Sequence, residues 1–572
     1  MLLILGSRVE DHIKGHQDVD PEQTTIGAES HPTLSQPASA DIPSQLALSA
    51  LDSRSSYINQ FEQVRFQEQP SDSTSSLFAE VSAQFTHSLR PTSDTPGSRF
   101  GWPSPTADPG LPPYEALCSL VDLYFKHVNT WCPILDRNTI FDTLFKSMPP
   151  NEPDRILFHA IVVTSLRFSK ELRLTPEAQK KYYSISKQKV QLYGLENTNV
   201  RALQALVIIS LDALGTSNGP QGWNLLALIA RNITQLGLGV DKKITIAPAT
   251  YPSSRTLNTF SLPQAKSWIE DEERRRLFWM VYILDRYATI DTPFEFVLNE
   301  KQTGRALPCR YDLFSKNQPV ETRWLSDGYN SKTSVNKPEN LGSFSHHCEV
   351  LRILSRIQRF LNTPVDIESS EDVGCWQTRY WELDGELESW SVNLPDEYGK
   401  ISQFCHSDPN SKISNWIILH AAYITTVLRL HSAAAYPSVN SHIFKPSFNA
   451  MQRCLAAVAS LREIALDVIK NRMLDLLGPS FAFSLWVAAR LLIVHATIAV
   501  VELDPNIGFF INTLDQVAQH WPVAQKYTSI LNRLLNDCHS ADQVGSEGAF
   551  LNVRTLARMR RLVRQTCSPS LY

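Results

Sequence analysis

Apolar side chains recur at three- and four-residue spacing in successive blocks from Tyr114 onward, whereas two-residue alternation over the length of a strand is hard to find. This pattern predicts an all-α fold, a large multi-helix bundle over residues 114–572. The spacing predicts helices over 114–128, 154–173, 176–193, 200–214, 221–237, 265–290, 344–362, 371–391, 413–435, 447–470, 479–503, 510–536 and 549–566. Two long irregular stretches, 239–264 and 308–343, are expected to be exposed loops.

Residues 1–113 differ from the rest in composition and are predicted to form a disordered tail. The tail is rich in Ser, Pro, Gln and Thr, which bury too little apolar surface to offset the entropy of folding. Ile58, Phe61 and Val64 recur at helical spacing, but scattered apolar residues in an unfolded segment are favoured over a short interaction helix. No role is assigned to the tail.

The segment 270–286 carries the most informative pattern in the chain. Four acidic residues are followed by three arginines and then by eight apolar residues, Leu277–Leu284, which cover every face of a helix. Acidic side chains suit the first turn of a helix, and Glu272 can reach Arg276 at the i to i+4 spacing. The segment therefore predicts a helix that is buried on all sides.

Asp285 and Arg286 follow this apolar run and are predicted to be structural anchors, because ionised groups persist near the interior only when they are paired or hydrogen-bonded. An alternative makes the acidic residues 270–273 acid-base catalysts, but adjacent residues on one helix point in different directions. No catalytic residue is therefore assigned. Trp279 and Tyr282, with this Asp-Arg pair, fit a ligand pocket and plain core packing equally well.

The same segment resembles the signature of the regulatory region of fungal zinc binuclear-cluster (Zn2Cys6-type) transcription factors. That signature has acidic residues, a basic pair or triplet, Phe-Trp, a Tyr, Asp-Arg, a loop ending in Pro, and Leu-Pro. It is supplied here by Glu272, Glu273, Arg274, Arg275, Arg276, Phe278, Trp279, Tyr282, Asp285, Arg286, Pro293, Leu307 and Pro308. Asp291-Thr292 stands where the family usually has Gly-Arg. The resemblance implies a helical regulatory domain over 114–572, with its signature at 270–308.

Further matches extend the resemblance over roughly four fifths of the chain, the tail excepted. They are Tyr124–Val128, Cys132–Leu135, Trp223, Ala227, Ala230, Leu236–Leu238, Trp390, Leu394-Pro395, Leu419–His431 and Trp521–Ala524. Gly239 stands where the family usually has His.

The family normally carries an N-terminal six-cysteine cluster that binds zinc and is flanked by basic residues that contact DNA. This sequence has no Cys-x-x-Cys spacing, and its first cysteine, Cys118, already lies in the predicted body. No cofactor is expected in this chain, and zinc is expected only if a cluster is encoded upstream. DNA binding is thus implied by the resemblance alone.

Composition and charge limit the cellular compartments and the kinds of partner that are expected for this chain. A mean hydropathy of −0.20 is typical of a soluble globular protein, and a net charge of −4 gives no general attraction to phosphate backbones. The apolar start Met1–Leu5 is too short for an export signal, and no membrane segment is predicted. Nine scattered cysteines suit a reducing compartment, so the nucleus is expected, with the cytoplasm as the alternative.

Candidate metal and nucleic-acid contacts are weak. His346-His347-Cys348 would need further metal ligands such as His406 or His420, and a satisfied polar edge of a helix is favoured, so no metal residue is assigned. The C-terminal basic residues could touch DNA or act as an import signal, but an exposed helix face is favoured. They are Arg554, Arg558, Arg560, Arg561 and Arg564. The usual nucleophile-elbow, phosphate-loop, dinucleotide-binding and zinc-protease motifs are absent from the sequence.

The sequence therefore predicts a nuclear regulator of RNA polymerase II transcription, and not an enzyme. Its helical body is expected to sense an effector or partner and to control a metabolic or biosynthetic gene set. The expected partners are the transcription machinery or a DNA-binding partner, promoter DNA by resemblance only, and a small-molecule effector; a homodimer is left open. The alternative is an all-α ligand-binding protein or metabolic enzyme that reuses this body without binding DNA.

Overall fold

Helices make up the fold in the residues that the structure describes. The structure is a computed structural model, and it describes residues 108–146, 148–169, 174–241, 262–290, 292, 295–300, 303–325, 337–395, 413–437 and 441–544. These residues contain 15 α-helices, and their only extended pairings are isolated β-bridges. The predicted all-α class is confirmed.

The helices run in chain order along the described body. They are α1 Tyr114–His127, α2 Arg137–Phe145, α3 Glu152–Ser165, α4 Pro176–Glu196, α5 Val200–Ser217, α6 Pro220–Gln235, α7 Trp268–Thr289, α8 Tyr311–Ser315, α9 Ser343–Asn362, α10 Ser370–Val392, α11 Ile413–Ala435, α12 Phe448–Lys470, α13 Pro479–Ala499, α14 Asn506–Val517 and α15 Val523–Val544. Short 3-10 helices lie at Leu166–Phe168, Pro338–Asn340 and Leu474–Leu476.

Packing follows the chain in two groups of helices that meet at α7. In the first group, α3 packs against α1, α4 and α5, and α5 packs against α6. In the second, α11 packs against α9, α12 and α13, while α14 contacts α13 and α15. Helix α7 touches α5 and α6 on one side and α9 on the other, so it lies at the junction of the two groups.

Two glycines allow the end of the described chain to pack against its beginning. A Cβ atom at Gly215 would collide with the Trp521 ring, and one at Gly478 would lie 2.9 Å from the Trp131 ring. The two indoles meet edge to face with centroids 6.0 Å apart. Both glycines are therefore required by close approach rather than by backbone conformation.

Several predicted boundaries were wrong for local reasons. The predicted helix 510–536 is two helices, α14 and α15, because the chain turns at Trp521-Pro522 and proline cannot donate a helical hydrogen bond. Helices α2 and α8 were missed. The stretch 308–343 is not simply an exposed loop, since Phe314 in α8 is fully buried, although 326–336 lies outside the described residues. The predicted helix 549–566 also lies outside them.

The described part of the body begins before residue 114. Leu111 is buried, and the Asp108 carboxylate accepts hydrogen bonds from Lys189 and from the Gly110 amide. Residues 108–113 thus pack on α3 and α4, whereas residues 1–107, including Ile58, Phe61 and Val64, lie outside the described residues.

Three helices are long and apolar enough to cross a membrane by length and composition alone: α5, most of α11, and α13. Within the fold, 78%, 67% and 72% of their most apolar windows are buried against other helices. Burial inside the bundle accounts for their composition.

Candidate functional site

Helix α7 begins with a capped turn and is buried over most of its length. The Ser267 hydroxyl accepts a hydrogen bond from the Glu270 amide, and Glu270 and Asp271 lie in the first turn, where negative charge is favourable. Every residue of Leu277–Leu284 is buried, as the sequence predicts. Trp279 is fully buried, and its indole Nε1 donates to the Ala306 carbonyl at 2.7 Å.

The N-terminal half of α7 fixes Cys309, which directly follows Leu307-Pro308, through an ion pair that we call the N-terminal anchor. Glu272 and Arg276 are buried and pair at 3.1 Å, at the predicted i to i+4 spacing. Glu272 also accepts from the Cys309 amide at 2.8 Å, and Arg276 donates to the Cys309 carbonyl at 2.6 Å. The charged pair therefore satisfies both backbone groups of Cys309.

The C-terminal end of α7 holds a second irregular segment through Asp285 and Arg286, the C-terminal anchor. The Asp285 carboxylate accepts from the amides of Val297 and Leu298 at 3.1 and 3.0 Å. Arg286 pairs with Asp285 at 2.9 Å and donates to the Leu298 carbonyl at 2.9 Å. The prediction that this Asp-Arg pair is a structural anchor is confirmed.

Burial controls the electrostatics of these anchors. It raises the pKa of Asp285, although Arg286 and the two amides lower it. Burial likewise raises the pKa of Glu273, opposed by Arg201 and by the Asp136 amide, which donates to Glu273 at 2.9 Å. Each carboxylate accepts hydrogen bonds from backbone amides, and neither lines the cleft described below. The arrangement fixes structure and gives no support to acid-base catalysis.

A Ser-His-Asp cluster that the sequence analysis missed lies between α3 and α4. His159 contacts the Ser186 hydroxyl through Nδ1 at 2.9 Å and the Asp108 carboxylate through Nε2 at 3.1 Å. His159 and Ser186 are fully buried, and burial lowers the pKa of His159 despite Asp108. Because no substrate can reach the buried hydroxyl, this cluster holds residues 108–113 against the body instead of serving as a catalytic triad.

The candidate metal ligands do not converge. His346, His347 and Cys348 are all buried in α9, and the Nδ1 atom of His346 contacts the Glu349 carboxylate at 3.0 Å. No group of three or more His, Cys, Asp or Glu residues suited to a metal occurs in the described part of the chain, and burial raises the pKa of the Cys132 thiol. The described residues therefore do not fit zinc. His406 and the C-terminal arginines 554–564 lie outside them.

An open cleft of about 680 Å³ lies between α9 and α10, beside the C-terminal anchor. Its charged lining residues are Glu300, Arg352, Arg356, Arg359, Asp372 and Arg379. Sequence reasoning missed it, although the arginines of α9 stand at i, i+4 and i+7 and so share one helix face. Trp279 and Tyr282 do not line this cleft. The Tyr282 hydroxyl donates a hydrogen bond at 2.8 Å to Glu300, which does line the cleft.

A comparison with known protein families gives a match over the region that contains α7. Residues 121–403 match the family model described as "Fungal specific transcription factor domain". This match ends well before Trp521–Ala524, which the sequence analysis included in the resemblance.

Relatives among curated proteins share 21–25% identity with the chain in their first matches. A transcriptional regulatory protein of Schizosaccharomyces pombe is 23% identical over 56% of this chain and 32% of its own length. A pigment biosynthesis transcriptional activator of Monascus ruber is 25% identical over 45% of each chain. An asperfuranone cluster transcription factor of Emericella nidulans is 23% identical over 36% of this chain and 32% of its own. The chain thus spans less than two thirds of the length of these relatives.

Among solved structures, a chain of the K. lactis CBF3 core aligns with this protein. The alignment covers 91% of this chain and 98% of the CBF3 core chain. The identity is 10% and the TM-score is 0.44, which supports no conclusion about function.

Proposed function

Because residues 121–403 belong to the fungal specific transcription factor domain family, which is a family of transcription factors and not of enzymes, we propose that the chain is a nuclear regulator of RNA polymerase II transcription. The observation that carries the proposal is α7, whose acidic, basic and aromatic residues lie inside the matched region. Its two anchors hold the segments at 297–298 and 309 in place, which gives a regulatory body a defined internal frame.

The regulated genes are proposed to be a metabolic or biosynthetic set. This rests on the names of two relatives, the pigment biosynthesis activator of Monascus ruber and the asperfuranone cluster factor of Emericella nidulans. Both relatives are longer than the region aligned with this chain, so their whole activity is not carried over.

Contact with promoter DNA is proposed to come through a DNA-binding partner or a further segment of a longer protein. The net charge of −4 offers no general attraction to phosphate, and the described residues do not fit a zinc cluster. We further propose that the chain of 572 residues holds no cofactor, and elemental analysis of the purified protein tests the absence of a bound metal. One or more tightly held zinc ions per chain would contradict this.

A reporter assay tests the regulatory function. The full chain is fused to an unrelated DNA-binding domain in a fungal cell, beside an Asp285→Ala fusion that loosens the C-terminal anchor and an Arg137→Ala control, which breaks a surface ion pair with Asp122. We expect the intact or the loosened fusion to change transcription relative to the DNA-binding domain alone, and the control to match the intact chain. If all the fusions are folded and nuclear but leave the reporter unchanged, the ligand-binding or enzymatic alternative moves ahead.

A further inference from the structure

Arginines outnumber carboxylates in the lining of the cleft between α9 and α10, and carboxylates just outside the lining pair with Arg356 and Arg379. Four arginines line it, Arg352, Arg356 and Arg359 from α9 and Arg379 from α10, against two carboxylates, Glu300 and Asp372. Arg356 donates to Glu386 through Nη1 at 2.6 Å. A guanidinium has five N–H donors in a fork that matches a carboxylate, so a pair of this kind leaves donors for an added anion.

The same cleft has an apolar wall. Phe360, Pro364, Val365 and Trp376 complete its lining. Trp376 is held from several sides, stacked on Tyr380 at a centroid distance of 5.5 Å and tilted against Phe360 at 5.1 Å. Because ordering a rigid aromatic side chain costs little on binding, this wall is a ready surface for a flat apolar group.

We propose that this cleft binds a small organic anion with a flat apolar body, its acid group among the α9 arginines and its body against Trp376. The volume of about 680 Å³ falls in the range of pockets that hold drug-sized molecules. The combination of an arginine fork with an aromatic wall selects for molecules that carry both features, because inorganic phosphate lacks the apolar part and a neutral aromatic molecule lacks the charge.

Glu300 connects the cleft to α7. Its Oε2 accepts from Arg359 at 2.7 Å, and its Oε1 accepts from the Tyr282 hydroxyl at 2.8 Å and lies 3.5 Å from Arg286. An anion that draws Arg359 away removes one partner of Glu300 and so alters the restraint on the C-terminal anchor. Binding in the cleft should therefore affect the hydrogen bonds that the Val297 and Leu298 amides donate to Asp285. An effect of this binding on transcription rests on the proposed function.

The first test measures binding to the purified full chain by isothermal titration calorimetry. The probe is 1-naphthoate, with 1-naphthalenemethanol and inorganic phosphate as its neutral and purely anionic counterparts. We expect saturable 1-naphthoate binding with a Kd below about 1 mM, and at least about ten-fold weaker binding of either counterpart.

Variants locate the binding site. Arg356→Gln and Trp376→Leu should each weaken 1-naphthoate at least about ten-fold, whereas Arg137→Gln, in a surface ion pair with Asp122 outside the cleft, should bind as the natural chain does. Denaturant midpoints confirm that each variant is folded. Absence of saturable binding, equal binding of 1-naphthalenemethanol, or unchanged binding by both cleft variants would overturn the proposal.

Hydrogen exchange tests the connection through Glu300. We expect 1-naphthoate to change the exchange of the Val297 and Leu298 amides in the natural chain and in Arg137→Gln. Arg359→Gln, which already lacks the ion pair with Glu300, should show less change at these amides. Binding with no change there would overturn the connection. Since both tests use purified protein, a silent reporter with intact binding would fault the proposed function and leave the cleft proposal standing.

Discussion

Helices α7 and α10 place their charges in opposite surroundings. The charged residues of α7 at 272, 276, 285 and 286 are buried, and each is bonded to a side chain and to the backbone of an irregular segment. Helix α10 packs one face on the body and exposes the other, where Arg379 pairs with Glu382 in solvent. Buried charge in this body fixes chain segments, whereas charge near the cleft remains accessible to an added molecule.

The sharpest test of the contrast compares two tryptophans. Trp279→Ala in α7 should lower the free energy of unfolding by about 5 kcal/mol, because it empties a core site and leaves the Ala306 carbonyl without its donor. Trp381→Ala in α10 removes an exposed ring and should change it by about 0.5 kcal/mol or less. Guanidinium unfolding measures both changes. Similar midpoints for the two variants would show that the surroundings of Trp279 and Trp381 do not differ as described.

The second test removes one charge of the N-terminal anchor. Arg276→Ala leaves Glu272 buried with one partner fewer and should cost about 3 to 5 kcal/mol of unfolding free energy. Urea denaturation gives the value. A cost under about 1 kcal/mol, as for an exposed pair, would mean that water replaces the guanidinium and that α7 is less enclosed than described.

The third test measures how stability depends on pH through His431, which contacts the inner face of α10. There Tyr380 contacts His431 at 2.6 Å, and Asp384 pairs with Arg453; burial, with Arg453, lowers the pKa of His431 to about 3. The folded state therefore binds this proton less than the unfolded state, so stability present above pH 6.5 is lost as the pH falls. His431 should contribute a loss of up to about 1.4 kcal/mol per pH unit below that value.

Unfolding measured across pH 5 to 7 in the natural chain and in His431→Gln tests this contribution. The Asp384 carboxylate lies 3.4 Å from the His431 ring, and burial raises its pKa, which gives a slope of opposite sign. We expect a shallower acid-side loss in the variant. Identical slopes would show that His431 is not buried in its neutral form.

The smallest effect is expected on the outer face of α10. Arg379→Ala breaks a pair in which both side chains are about half exposed, and it should change the free energy of unfolding by about 0.5 kcal/mol or less. Thermal unfolding at two salt concentrations provides the check. A loss comparable to that of Arg276→Ala would place Arg379 in a structural network.

The sequence predicted α7 well because its features are local. Eight consecutive apolar residues, an acidic first turn and an i to i+4 pair all lie within one segment, and each has one favourable helical arrangement. The charged pairs of both anchors were predicted, but the backbone groups that they bind were not. Those groups, at 297, 298 and 309, lie in irregular segments, whose sequences show no helical periodicity.

The cleft and the Ser-His-Asp cluster could not be predicted in the same way. Ser186 lies 27 residues from His159, and Asp108 lies 51 residues away in what composition marked as a tail. Arg379 meets the α9 arginines only because α10 folds back beside α9. Such groupings depend on tertiary packing, for which one sequence gives no direct pattern.

The contact of Gly215 with Trp521 sets a limit on where this protein can be divided. The family match ends at residue 403, yet the indole that fills the space above Gly215 lies 118 residues further along, and Trp131 meets Gly478 in the same way. A fragment cut at the edge of the match would expose the apolar side of α5 to water. The region that the family model covers is therefore smaller than the unit that must fold together, and shortened forms of the chain should be retained by chaperones or degraded.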